Sequence, residues 1–258
     1  MRRVTAVVFD WAGTTVDHGS LAPVRALQEL FASRGGAVTE EEARRDMGIH
    51  KKDHIRALLR AKIGATPDEA QVDDLFAAFI PMQMDCLAAC SAVIPGVPAA
   101  VESLRTRGIK IGSTTGYTRP MLDLLLAAAA GEGYTPDCAL SPDDTVAGRP
   151  WPWMCYLNAI HLRTYPMHTM IKIGDTVSDI AEGLNAGMWT IGLARTGNLI
   201  GLTAEELALL PAAAQTNRLD AARRQLREAG AHYVADAVAD SIALVEAIDE
   251  RLARGERP

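Results

Sequence analysis

Along the second half of the chain, short β-branched runs alternate with helical segments, and this rhythm restricts the fold more than any other feature of the sequence. "IKIGSTT", "DCAL", "MIKIGD" and "MWTIGLA" each end at a polar turn. Between them lie "YTRPMLDLLLAAAA", "PWMCYLNAIHL" and "VSDIAEGLNAG", whose apolar residues recur at helical spacing. Strands and helices in strict alternation build parallel βαβ units, which gather ligands at the carboxyl ends of the strands. "VTAVVF" at 4–9 reads as a further buried strand, and "AHYVAD" is a candidate for a last one.

From about Ser20 to Ala92 the strand signal disappears. "SLAPVRALQELFASRGG" has helical spacing and ends in glycines, and "TEEEARRDMG" opens with a capping box from Thr39 to Glu42. "TPDEAQVDDLFAAFIPMQMDCLAACSA" predicts a helix capped by Thr66, with Pro67 at its first position and a kink or break at Pro81. The expected architecture is therefore α/β. A Rossmann-like parallel core (residues 1–19 and 98–258) is interrupted after its first strand by an all-helical domain of about four helices (20–97).

A formal charge of −6 and a pI near 5.5 argue against nucleic acid or an anionic membrane as partner. No apolar stretch approaches the roughly 18 residues that a spanning helix needs, and "MRRVTAVVFDWAG" lacks a signal-peptide cleavage pattern. Cys86, Cys90, Cys138 and Cys155 form no CxxC pair and read as buried structural residues. A reducing cytoplasm is the expected location.

In a parallel sheet the residues that follow each strand meet at one edge. Here they are Asp10, the pair Thr114 and Thr115, Arg149 in "PDDTVAGRP", and Asp175 and Asp179 in "IGDTVSD". A nucleophilic carboxylate, hydroxyl donors, a fixed cation and two further carboxylates are what phosphoryl transfer needs, with Mg2+ completed by water and a substrate oxygen. Asp17 reads as a capping or loop residue.

In order and spacing these segments resemble the four motifs of the haloacid dehalogenase superfamily, and the helical insert sits where that superfamily places a cap domain. The resemblance implies roles for individual residues. Asp10 becomes the nucleophile and a Mg2+ ligand beside the carbonyl of Ala12, and Asp175 a second ligand supported by Asp179. Thr115, followed by Gly116, binds phosphate, and Arg149 stands where most members carry lysine.

Ala12 departs from the superfamily pattern, because an ordinary phosphatase keeps a second aspartate there to protonate an alkoxide leaving group. Without it, carbon becomes a feasible leaving group if a lysine condensed with a neighbouring carbonyl can accept the electrons. Only five lysines are present, and "MGIHKKDHIRALL" places Met47, Lys51, His54 and Leu58 on one face if it is helical.

"FDWAGTTVD", "MGIHKKDH", "GIKIGSTTGYTR", "TVAGRPWPWMCY" and "IKIGDTVSDIAEGLNAGMW" together resemble the phosphonoacetaldehyde hydrolase family of that superfamily. The resemblance implies a Schiff-base lysine at Lys51, with Met47 and His54 lining the same pocket. It also implies a small phosphonate substrate, Mg2+ as cofactor and a homodimer, with Trp153 in "WPW" either at the interface or in the core. His50 either faces solvent or depresses the Lys51 pKa. The rival readings are a phosphate-ester phosphatase or phosphomutase, and a non-catalytic binding protein on the same scaffold.

Overall fold

β1 (Ala6–Phe9) is buried along its whole length and separates two apolar layers. Val7 and Phe9 enter the larger core on one face, and Ala6 and Val8 a smaller one on the other. Such a strand is covered on both sides. The computed structural model describes residues 3–258; residues 1 and 2, which the expected first core segment includes, lie outside the described residues.

After β1 come four helices: α1 (Leu21–Ser33), α2 (Glu40–Arg45), α3 (Lys51–Ile63) and α4 (Glu69–Cys90). Then follow α5 (Val97–Thr106), β2 (Lys110–Thr114), α6 (Arg119–Gly131), β3 (Cys138–Leu140), α7 (Trp153–Leu162), β4 (Met170–Gly174) and α8 (Val177–Asn185). The chain ends through β5 (Trp189–Leu193), α9 (Ala204–Leu209), α10 (Ala212–Glu228), β6 (Tyr233–Ala235) and α11 (Val238–Ala253). Among the described residues six strands form one parallel sheet, in the order β3-β2-β1-β4-β5-β6. The α/β class expected from the alternation is borne out, and "AHYVAD" does provide the last strand.

Order reverses at β1, whose neighbours are β2 and β4, and a crevice opens at such a switch point beyond the strand ends. Register aligns Phe9 with Ser113 on one side and with Ile173 on the other. Asp10, Thr114 and Gly174 therefore leave the sheet side by side.

Several local expectations need correction. α4 is capped by Asp68, whose side chain accepts from the N–H of Ala70, and not by Thr66. The helix also runs unbroken through Pro81. Proline removes one backbone hydrogen bond, but Val72, Leu75, Phe79, Gln83 and Leu87 form a buried stripe that keeps the helix packed along α1. Of the cysteines only Cys155 is fully buried; the other three are partly exposed, and all four are free. The Thr39–Glu42 capping box is present in both directions. Asp17 caps α1, its carboxylate accepting from the N–H groups of Leu21 and Ala22 at 3.0 Å.

Trp151 and Trp153 are 57% and 40% exposed, so "WPW" lies at the surface and not in the core. Among the described residues no helix is long and apolar enough to cross a membrane.

Candidate active site

Asp10 emerges from β1 with its N–H donated to the carbonyl of Ile173. Its neighbour across β4 is Asp175, and Asp179 follows in the first turn of α8. One oxygen from each of these carboxylates lies within 4.8 Å of the others, all three residues being buried. Thr14 donates to Asp175 Oδ1 at 2.9 Å and the N–H of Asn198 to Oδ2 at 2.7 Å. Burial, then the charges of Asp10 and Asp179, push the Asp175 carboxyl well above the usual carboxylate range. A buried hard-oxygen cluster short of positive charge is what a divalent cation such as Mg2+ neutralises, so the donor set fits that metal class.

Arg149 organises the other side. Its Nη2 is 2.7 Å from Asp10 Oδ1, its Nη1 3.0 Å from Asp179 Oδ1, and its Nε 2.9 Å from Glu182 Oε2. Nη2 also donates to the carbonyl and hydroxyl of Thr114. Asp179 thus supports the site through the guanidinium. Burial works to raise the Asp179 pKa, but Arg149 and Lys172 outweigh it and keep the group ionised.

Two members of this network escape a reading by motif. Lys172, in the middle of β4, is fully buried with Nζ 2.8 Å from Asp179 Oδ1 and 3.3 Å from Glu182 Oε2. Glu182, one turn beyond Asp179 on α8, also accepts from the Thr114 hydroxyl. The signal was present: a lysine inside an apolar strand requires a carboxylate partner, and Asp179 and Glu182 share a helix face at i, i+3.

The helical unit closes over this edge. Gly48 has φ +93°, and a Cβ there would meet Ser178 Oγ at 2.2 Å and Thr176 Oγ1 at 2.5 Å. Only glycine permits so close an approach in that conformation. Gly116 packs beneath the same turn. A small, partly open pocket lies between them, its lining including Asp10, Ala12, Thr115, Gly116, Tyr117 and Arg149 from the core and Met47, Gly48 and Lys51 from the helical unit.

Lys51 is the first residue of α3, only 3% exposed, with Nζ 3.7 Å from Met47 Sδ and 4.9 Å from the centre of the Tyr117 ring. Among the described residues it takes part in no ion pair. Burial pulls its pKa down to about 8; Arg149 acts in the same direction, and Asp10 and Asp17 oppose it. Lys52, one position on, instead pairs with Asp73 on α4.

His54 is fully buried on the next turn of α3, with no well-formed hydrogen bond at either ring nitrogen. Burial and the neighbouring Lys51 charge lower its pKa to about 3, so the ring is neutral at physiological pH. His54, Asp175 and Asp179 do not themselves line the cavity. His50 is half-buried, stacked edge-on against Phe76, and does not simply face solvent. Tyr117, next to Gly116 and missed by sequence reasoning, contributes the ring beside Lys51.

A buried aspartate, a clamped guanidinium and a carboxylate set suited to a cation meet at the switch point of a parallel sheet, beneath the helical unit, an arrangement that fits a hydrolase acting on a small anionic substrate. Residues 4–187 match the haloacid dehalogenase-like hydrolase family, and the chain belongs to it. It is 46% identical to a protein named phosphonoacetaldehyde hydrolase from Nitratidesulfovibrio vulgaris, over 99% of this chain and 94% of that one. It is 44% identical to one of the same name from Bacillus cytotoxicus, over 96% and 98%. A crystal structure of a phosphonoacetaldehyde hydrolase-like protein from Oleispira antarctica superposes with a TM-score of 0.95 at 41% identity, covering 99% of this chain and 96% of that one. The resemblance read from the motifs is borne out.

Proposed function

We propose that the enzyme hydrolyses the C–P bond of phosphonoacetaldehyde, releasing acetaldehyde and phosphate. The observation that carries this reading is the cavity itself: a buried amine, Lys51, shares it with Asp10 and Arg149, while Ala12 leaves it without the acid that an ester leaving group needs. Relatives that bear the substrate's name, at 44% and 46% identity, support it.

In this mechanism the phosphonate lies against Arg149 and Thr115 with its aldehyde toward Lys51. Neutral Lys51 adds to the carbonyl carbon and water leaves, giving an iminium. An oxygen of Asp10 attacks phosphorus; the C–P electron pair moves to the iminium nitrogen, leaving an enamine on Lys51 and a phosphoryl group on Asp10. Protonation of the enamine carbon restores an iminium, which one water hydrolyses to acetaldehyde and free amine. A second water hydrolyses the aspartyl-phosphate. One water is released and two are consumed, which balances the overall hydrolysis. Met47 packs against the amine, and His54, neutral and buried one turn along α3, adds no charge beside it. Asp10, Asp175 and the Ala12 carbonyl would hold Mg2+, which would supply positive charge to the phosphoryl oxygens.

Acetaldehyde and phosphate appearing together from phosphonoacetaldehyde test the reading directly; phosphate release from phosphomonoesters with no C–P cleavage overturns it. Chelation should abolish turnover and Mg2+ should restore it, whereas activity unaffected by chelator removes the metal from the mechanism.

The pH dependence follows from the amine. The reactive form is deprotonated, so with a pKa of about 8 the rate of imine formation should rise about tenfold per pH unit below that value and level off above it. A plateau reached only beyond pH 10 would mean an unperturbed lysine. A homodimer in the cytoplasm belongs to the same reading, with the exposed Trp153 as a contact candidate; light scattering on the purified chain checks the assembly.

A further inference from the structure

Arg44, near the end of α2, reaches out of the helical unit into the core. Its Nη1 donates to the carbonyls of Gly19 at 2.9 Å, Asn198 at 3.3 Å and Ser20 at 3.4 Å, and to Asn198 Oδ1 at 3.1 Å. Nη2 donates to the carbonyl of Gly201 at 3.1 Å, and Nε to Glu40. The socket is shaped for this side chain: Gly201 has φ +68°, and a Cβ there would lie 2.6 Å from Arg44 Nε.

Asn198 completes the exchange and is 98% buried, with only 2% of its surface exposed. Its Nδ2 donates to the Arg44 carbonyl at 3.1 Å, so the two residues are joined in both directions. The backbone N–H of the same asparagine donates to Asp175 Oδ2 at 2.7 Å. One residue therefore touches the docked helix with its side chain and the candidate metal ligand with its main chain. The same loop is tied to the nucleophile turn, since Thr196 donates to the carbonyl of Gly13 and accepts, through its own carbonyl, from the N–H of Gly19.

We infer that Asn198 is a positioning residue that links the docking of α2, through Arg44, to the orientation of Asp175. Arg44 contacts none of the three carboxylates, so any effect it has on the metal site passes through the loop. Undocked, the asparagine side chain loses both partners on α2 and the loop is free to turn its N–H away from Asp175. Metal affinity and closure of the helical unit then rise and fall together, as linkage requires. The inference rests on the metal reading of Asp175 and is independent of which phosphonate is the substrate.

Titration calorimetry of the full chain with Mg2+ alone tests it without turnover. Arg44→Met should weaken Mg2+ about tenfold, the lower end for loss of a group that orients a ligand. Asn198→Ala keeps the N–H but cuts the link, and should weaken it to a similar extent. The double variant should bind no more weakly than either single one, the coupling expected of residues acting in series. Arg44→Lys, which keeps the charge but cannot span the carbonyls, should behave as Arg44→Met and replaces it if the methionine variant does not fold. Unchanged Mg2+ affinity in the Arg44 variants, or additive losses in the double, would overturn the link alone. Absence of Mg2+ binding to the unaltered chain would overturn the metal reading with it.

Discussion

Lys51→Arg should reduce C–P turnover on the order of 10^4-fold, the scale typical of losing a covalent nucleophile, and abolish borohydride trapping of substrate on the protein. Arginine keeps a positive charge and similar length at the head of α3, but its guanidinium is never deprotonated and forms no imine. The substitution therefore separates charge from nucleophilicity. If Lys51 only attracted the phosphonate, arginine would serve nearly as well and turnover would survive. Mass spectrometry of the borohydride-treated wild-type chain should find the added group on Lys51 and not on Lys52, whose side chain is turned away and paired with Asp73.

Asp10→Asn should suppress phosphate release by a similar factor, on the order of 10^4-fold, while leaving imine formation intact. Asparagine preserves the shape of the strand end but is not a phosphoryl acceptor. The two variants should differ in what borohydride captures. In the wild type, reduction after turnover leaves an ethyl group on Lys51. In Asp10→Asn the C–P bond remains, and the captured group should still carry phosphorus. The electrostatics point the same way, since the Asp10 charge favours protonated Lys51 and its removal lowers that pKa further. More of the amine is then neutral at pH 7, and trapping should be undiminished. An ethyl adduct in Asp10→Asn would show that phosphorus leaves without this carboxylate.

Much of this arrangement was legible in the sequence because it sits on strongly periodic elements. The strand ends carrying Asp10, Thr115 and Asp175 follow from short β-branched runs bounded by polar turns. The Thr39–Glu42 cap follows from local spacing. Lys51 was reached through the family resemblance that includes "MGIHKKDH", because helical spacing alone does not separate it from a solvated, charged helix start. What remained hidden depends on contacts between distant residues. Lys172 resembled an ordinary strand residue until its partners Asp179 and Glu182 were brought across from α8. The fate of His50 was decided by Phe76 on α4, and the role of Asn198 by Arg44, 154 positions away. The break anticipated at Pro81 failed for the same reason, because packing against α1 outweighs a local propensity.

In the proposed mechanism the placement of the helical unit, immediately after the strand that bears Asp10, divides the substrate between two bodies: the sheet edge would grip phosphorus and the excursion the carbonyl. The leaving-group chemistry is then carried by one body and the phosphoryl-accepting chemistry by the other, with Arg44 and Asn198 joining the two. Grafting this excursion onto another core of the same topology should carry its aldehyde selectivity with it. The chemistry also sets a ruler. Only a carbonyl one carbon removed from phosphorus lets the departing electron pair reach the amine, so a phosphonate with one extra methylene should condense with Lys51 and go no further.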